Sequence, residues 1–409
     1  ALGLRLYLHA SRKPIYEVCD ELLGEGIFNT DGELWKHQRQ IGSHGFKTRN
    51  LDNAFLSCFQ NCTNILIEKI NMYAENNLAF DIKDLFFRIT MQTICEIAFG
   101  YRINTIMVDQ IPPFAVAMDK CTRHLFHRIL NPLWRIKKNI SLPDEVEYKN
   151  NVALLDEICY KIIDERIEKI KNNINNEDNT DTTDDILSFY ISFLLKQNSN
   201  KIDFDEIFTN DTRKYLRDVV FSFLIAGRDT TAATLSWLFF ELLTKDDIVS
   251  LIEEEIDIVE ESHPIHDINY YNKLSTLHGA FYETLRLHPP VPMNVKYATK
   301  DLYLGKSVED AIYVPKNTAV IYSPFIMGRL ESIWGDNVNE FDINRNHTSK
   351  TSYQFPSFNA GPRICLGKKF ATIEAIVISS EILKQFKIVP VNNEIFNKPP
   401  QYSLGITSS

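Results

Sequence analysis

Apolar residues recur at spacings of three and four through most of the chain, the period of a helix with one buried face. "LDNAFLSCFQNCTNILIEKINMYAEN" (51–76), "DIKDLFFRITMQTICEIAFG" (81–100) and "NVALLDEICYKIIDERIEKIK" (151–171) are such runs. The second stops at Gly100, a residue suited to the left-handed position past a helix end. Further helices are expected over about Thr212 to Leu243, Leu274 to Leu287 (ended by Pro289 and Pro290) and 368–386. Two short stretches, "AIYVP" (311–315) and "TAVIYSP" (318–324), read as strands. "NNINNEDNTDTTDD" (172–185) holds a single apolar residue and is expected to be a mobile surface loop. The helical pattern resumes directly after it, so it interrupts one domain rather than dividing two. The pattern predicts a mainly α protein with a small β component, as a single domain over 1–409.

Composition narrows the function classes. The net charge of −10 over 409 residues argues against a nucleic-acid partner. The basic cluster "WRIKKNI" (134–140) reads as a solvated helix face. Seven scattered cysteines do not suit a disulfide framework and point to a reducing, cytosol-facing location. Cys58 and Cys62 are one helical turn apart, but no third and fourth ligand stand near them in sequence, so structural zinc is not expected. No run approaches the ~20 apolar residues of a membrane span. The best candidate, "VVFSFLIA" (219–226), is stopped by Arg228 and Asp229.

The candidate chemistry lies near the C-terminal end, in "FNAGPRICLG" (358–367). A functional cysteine needs its thiolate stabilised. Cys365 sits just before an expected helix, whose N-terminal N–H groups favour an anion. Gly361 and Gly367 let the backbone turn and approach a flat partner, and Arg363 offers a cation for a carboxylate. Five positions, Phe358, Gly361, Arg363, Cys365 and Gly367, form F-x-x-G-x-R-x-C-x-G. Its chance occurrence in a chain of this length is on the order of 10⁻⁴ or less.

This pattern resembles the axial-cysteine signature of the cytochrome P-450 (haem-thiolate monooxygenase) family. The resemblance implies that family's helix-rich fold and a haem b (iron protoporphyrin IX) whose axial metal ligand is Cys365. Companion motifs follow in order. "AGRDTT" (226–231) resembles the oxygen-activation segment: Ala226 and Gly227 would leave room for oxygen, and Asp229 and Thr230 would relay protons for O–O cleavage. "ETLRLHPP" (283–290) supplies Glu283 and Arg286, which the family joins to a later arginine as a buried lock. Arg345 of "FDINRN" (341–346) matches that arginine, although Ile343 and Asn346 replace the usual Pro and Trp. "WKHQR" (35–39) places Trp35 and Arg39 on one helix face, where the resemblance implies contact with a haem propionate. Arg363 and Lys296 would serve the same purpose, Lys296 standing where relatives tend to have Arg.

Within the family the chain is similar to the plant fatty-acid ω-hydroxylases. "LLGEGIFNTDGELWKHQRQIGSHGF" (22–46), "DLFFRITMQTICEIAFG" (84–100), "KYLRDVVFSFLIAGRDTTAATLSWLFFELL" (214–243) and "YSPFIMGRLESIWG" (322–335) carry this likeness. It implies insertion of one oxygen atom from O2 into a C–H bond of a long-chain fatty acid. Electrons would come from NADPH through NADPH-cytochrome P-450 reductase, which Lys368 and Lys369 would help dock. It also implies a place at the cytosolic face of the endoplasmic reticulum membrane. Phe28, Leu224, Ile225, Pro292, Met293 and Ile406 are the candidate substrate contacts. The family's membrane anchor, proline-rich hinge, two helices and first strands have no counterpart in the 21 residues before Leu22, which implies an N-terminally shortened chain with a reduced main sheet. A hydroperoxide-rearranging haem-thiolate enzyme would tend to lack the helix threonine, so Thr230 and Asp229 argue against it. A non-catalytic remnant is distinguished by failure to bind haem.

Overall fold

A computed structural model describes residues 14–46, 49–175, 185–197, 204–263, 267–305, 307, 309–392, 396, 401–402 and 406–407. Helices follow one another through the first 290 residues: α1 (Pro14–Leu23), α2 (Gly32–Gly45), α3 (Arg49–Glu75), α4 (Ile82–Phe99), α5 (Pro113–Leu130), α6 (Trp134–Asn139), α7 (Pro143–Asn175), α8 (Ile186–Gln197), α9 (Phe204–Ile207), α10 (Asn210–Leu242), α11 (Asp246–Ser262), α12 (Ile268–Lys273) and α13 (Ser275–Leu287). Short helices α14 (Pro324–Met327) and α15 (Glu331–Trp334) and the long α16 (Lys368–Gln385) complete the set.

The caps explain several boundaries. Asp81 accepts the Asp84 N–H at the start of α4, and Gly100 ends that helix at φ 58 with its N–H returned to the Cys95 and Glu96 carbonyls. The expected loop at 172–185 is corrected at its start. Residues 172–175 are the last turn of α7, whose amphipathic pattern carries the helix into the polar stretch. Residues 176–184 lie outside the described residues.

The strands are brief. Among the described residues they make three two-stranded antiparallel sheets. β1 (Asn294–Tyr297) pairs with β4 (Ala319–Tyr322), and β2 (Leu302–Leu304) with β3 (Ile312–Val314). β5 (Gln401–Tyr402) pairs with β6 (Ile406–Thr407).

One apolar core joins elements from α1 to α16. Its axis is α10, which buries Leu216, Val220, Phe221, Leu235 and Leu238 and packs along α4 and α13. A helix apolar on nearly all sides belongs in the middle of a fold. α16 is the second such helix, with Ala375, Ile376, Val377 and Ile378 all fully buried. It packs on α3, α10, α11 and α13, so the loop before it is held by the centre of the molecule. No helix among the described residues is long and apolar enough to cross a membrane.

Candidate active site

The loop before α16 is built from two single 3₁₀ turns, Pro356–Phe358 and Gly361–Arg363. Asn359 (φ 62) and Gly361 (φ 68) take left-handed conformations between them. Asn359 is fixed there by its side chain, whose Oδ1 accepts from Tyr322 Oη (2.8 Å) and from the Ala360 N–H (2.7 Å). The Cys365 N–H donates to the Phe358 carbonyl at 2.8 Å, closing the loop under the sulfur. Gly367 has an ordinary φ of −87. A Cβ there would meet only the Cys365 sulfur, at 4.0 Å. The two glycines therefore divide the work: Gly361 permits the turn, and Gly367 keeps the surface beside the sulfur flat. Cys365 is exposed by area. Enough protein surrounds its sulfur that burial pushes the thiol pKa up, against the Gly367 N–H, Arg39 and Lys368, which favour the thiolate.

Three cations gather near this loop. The Arg363 guanidinium lies 4.0 Å over the Trp35 ring and donates to the Thr30 carbonyl (2.9 Å) and to Asp31 Oδ1 (2.6 Å). The carboxylate expected for Arg363 is thus partly supplied by Asp31, on the turn into α2. Burial lowers the pKa of Arg39, Lys296 and Arg363 alike. The cations also repel one another, Arg363 acting on Lys296 and Arg39 on Arg363. Arg39 and Lys296 have no carboxylate partner among the described residues. Half-buried cations in this arrangement favour an anionic ligand.

The α10 segment faces a cavity of about 450 Å³ whose lining includes Ala226, Asp229 and Thr230. Phe28 and Ile225 also line it, as expected of substrate contacts, together with Phe87, Met91 and Val291. Three of the other candidates fall elsewhere, and the fourth's side chain is not described. Leu224 is 3% exposed within the core. Pro292 serves a turn, its carbonyl accepting from Ser323 Oγ at 2.8 Å. Met293 is on the outside, 57% exposed. Ile406 lies in β6, but its side chain is outside the described residues. The turn after α13 presents Pro290 and Val291 to the cavity instead.

Gly227 does not face this cavity. An added Cβ would come within 2.5 Å of Ile94 Cγ1, so the glycine lets α10 and α4 approach closely rather than leaving room for oxygen. Thr230 Oγ1 donates to the Ala226 carbonyl at 2.7 Å, which leaves its lone pairs toward the cavity. Asp229 has its pKa pushed up to about 6 by burial, against the pull of Arg228. Arg228 is itself buried and divides its Nη1 between Asp229 (2.9 Å) and Asp119 of α5 (2.8 Å).

The lock assembles as the motifs imply. Glu283 and Arg286 are fully buried and joined by two bonds, Nε to Oε2 (2.7 Å) and Nη2 to Oε1 (2.6 Å). Arg286 also donates to the carbonyls of Gly328, Val338 and Glu340 at 2.6, 2.6 and 2.9 Å. Arg345 Nε reaches Glu283 at 3.1 Å, so the altered "FDINRN" frame still closes it. Burial opposes the Glu283 charge, but the Arg286 and His347 bonds and the Asp342 N–H outweigh it and hold the carboxyl at about 2.

Sequence reasoning misses three members. His347 (2.8 Å from Glu283) stands two residues past Arg345, outside the motif. Arg228 lies inside "AGRDTT", and only the fold brings Asp119 to it. Glu374 is wholly buried on α16, its pKa pushed up to about 8 by burial against a bond with Thr93. Thr93 Oγ1 is in reach of both a Glu374 oxygen and the Thr90 carbonyl (3.1 Å). Thr93 donates to the Glu374 oxygen, the bond that favours the charged carboxylate against burial. The second Glu374 oxygen makes no bond of ordinary length among the described residues, although Thr231 beside it also favours the charged form. An acidic residue within the apolar run of α16, seven positions before Glu381, is the only sequence signal for it.

Comparison with known proteins matches this arrangement to one family. The family model described as Cytochrome P-450 matches residues 8–408. The chain is 34% identical over 389 residues to cytochrome P-450 94A1 of Vicia sativa, covering 90% of this chain and 70% of that protein. It is 30% identical over 412 residues to cytochrome P-450 704C1 of Pinus taeda (93% and 75%) and 30% identical over 432 residues to cytochrome P-450 704B1 of Arabidopsis thaliana (95% and 78%). With the cysteine loop, the buried lock and the α10 segment in the order these motifs require, the match over almost the whole length shows that the chain belongs to the cytochrome P-450 family.

Proposed function

We propose that this cytochrome P-450 monooxygenase hydroxylates long-chain fatty acids at or near the methyl end, with electrons passed from NADPH by a flavoprotein reductase. One observation carries the substrate class: the cavity beside Asp229 and Thr230 is lined by apolar side chains (Phe28, Phe87, Met91, Ile225, Val291) together with charged groups of both signs, Lys83 and Arg123 among the basic ones and Asp81, Asp84 and Asp119 among the acidic. An alkyl chain suits the apolar side chains and its carboxylate the basic groups, and about 450 Å³ is within the usual range for small-molecule sites.

The family implies a haem held by a cysteine thiolate, and the residues present fit it. Gly367 leaves the surface beside the Cys365 sulfur without a side chain, and Arg39 and Lys296, with no carboxylate partner among the described residues, supply cations for two carboxylates. Cys365 would hold the iron through its thiolate, and Arg39, Lys296, Arg363 and Trp35 would hold the propionates. Haem so ligated supplies oxygen activation, the thiolate favouring O–O cleavage. The chain's own part is to deliver protons and exclude competing groups. Asp229, with its pKa at about 6, gains and loses a proton near neutrality. Arg228 orients it, and the Thr230 oxygen can accept a proton from the cavity side and pass its own on.

Support for a membrane seat comes from the α5–α6 corner. Leu130, Leu133, Ile136 and Ile140 are each 58% exposed or more there, beside Arg135, Lys137 and Lys138. The exposed apolar side chains suit a lipid surface, in keeping with the cytosolic face of the endoplasmic reticulum, while the three basic residues are paired with Glu17, Asp144 and Glu21.

The test is incubation of the haem-loaded chain with reductase, NADPH, ¹⁸O2 and saturated fatty acids of graded length. The expected product is a hydroxy acid carrying one ¹⁸O at or next to the terminal carbon. A chain that shows the thiolate-haem spectrum but gives no labelled hydroxy acid from any of them overturns the substrate assignment.

A further inference from the structure

A second constellation lies between α3 and α4, apart from the cysteine loop. Cys58 and Cys62 project from one face of α3, and Gln92 and Glu96 from one face of α4; each pair is one helical turn apart. The two sulfurs and a Glu96 carboxylate oxygen all lie within 4.8 Å of one another. Both cysteines are buried, and Glu96 is partly exposed. The third ligand that sequence spacing did not reveal is thus delivered by the neighbouring helix, 34 positions beyond Cys62.

We propose that Cys58, Cys62 and Glu96 form a zinc-class divalent metal site, with water as the fourth ligand. Three ligand atoms at this mutual separation can face a single tetrahedral ion after small side-chain adjustments. Around them the surroundings are already arranged. Gln92 Nε2 donates to Cys62 Sγ at 3.7 Å. Its amide is held in that orientation because Oε1 accepts from the Thr105 N–H (3.2 Å). A fixed N–H aimed at a sulfur is the support a metal-bound thiolate takes. Charge also closes. Two thiolates and a carboxylate carry −3, the ion +2, and Arg102, 3.4 Å from Glu96, the remaining +1. On binding, each thiol gives its proton to the buffer, and the metal enters along the Glu96 side chain, 30% exposed.

The experiment uses the haem-loaded chain, in which Cys365 is engaged by iron, mixed with one equivalent of Zn²⁺ and passed through gel filtration. Metal analysis and zinc K-edge EXAFS are read on the protein peak. The expected result is one retained zinc with two sulfur scatterers at about 2.3 Å and oxygen at about 2.0 Å. Cys58→Ser and Cys62→Ser lose it, Gln92→Leu weakens it about 10- to 100-fold, and Cys95→Ser keeps it. The scattering is read on the unmutated chain, so the site is tested even if a variant fails to fold. Retention of zinc by the Cys58→Ser/Cys62→Ser double variant, oxygen-only scattering, or no retained zinc each overturns the assignment.

Discussion

Replacing Glu374 by Gln gives the sharpest test of the energetics under the cysteine helix. The native carboxyl keeps its proton up to about pH 8, whereas a carboxyl in the unfolded chain loses it near 4.5. Between these values the native state binds more protons than the unfolded state, so stability falls as pH rises. Below 4.5 both states are protonated and Glu374 imposes no penalty. A separation from 4.5 to about 8 corresponds to about 5 kcal/mol at the alkaline end, and to about 3 kcal/mol at pH 7. Glutamine keeps the shape and an acceptor oxygen for Thr93 but never ionises. The variant should therefore match the unmutated chain near pH 4.5 and exceed it by a widening margin toward pH 8. The assay is urea unfolding of both proteins across pH 5 to 9, followed by far-UV circular dichroism. Asp229, also raised, is common to both and cancels in the difference. Parallel stability profiles across that range would refute a neutral buried Glu374.

Arg286→Leu should cost about 3–5 kcal/mol, because Glu283 stays buried while three backbone carbonyls lose their donor; a loss under 1 kcal/mol in denaturant unfolding would contradict the lock as drawn. Gly227→Ala should destabilise by about 1–3 kcal/mol through overlap with Ile94, although alanine alone favours a helix by about 1 kcal/mol; stabilisation in the same assay would mean that the α10–α4 contact is looser than described. Exchanging the exposed Lys368 and Lys369 for Glu should raise the KM for the reductase without moving the haem spectrum, and an unchanged KM would remove them from the docking face.

Much of this was legible in the sequence where local periodicity or fixed spacing carries the information. The bounds of α3, α4, α10, α13 and α16 fall within a few residues of the apolar pattern, since each buries a face. Strands β3 and β4 fall on the two expected stretches, whereas β1 and β2, of the same lengths, lack a comparable run of β-branched residues. The lock triad could be read from motifs, but His347 and Asp31 join their partners only through folding. The substrate positions show the limit most clearly. Neighbouring residues such as Val291 and Met293 differ in whether they line the cavity or face solvent, and that depends on how the turn after α13 lies, not on residue type. Gly227 fitted an oxygen pocket by motif, while the direction of its absent side chain assigns it to helix packing. The Cys58–Cys62 pair lacked ligands in sequence because the third arrives on α4.

The central claim is thiolate-ligated haem on Cys365, and the reduced, carbon-monoxide difference spectrum of the expressed chain tests it most directly. The account predicts a strongly red-shifted Soret band in the unmutated chain and its loss in Cys365→Ser. An unshifted band, or no haem signal from a chain that circular dichroism shows to be folded, would contradict it.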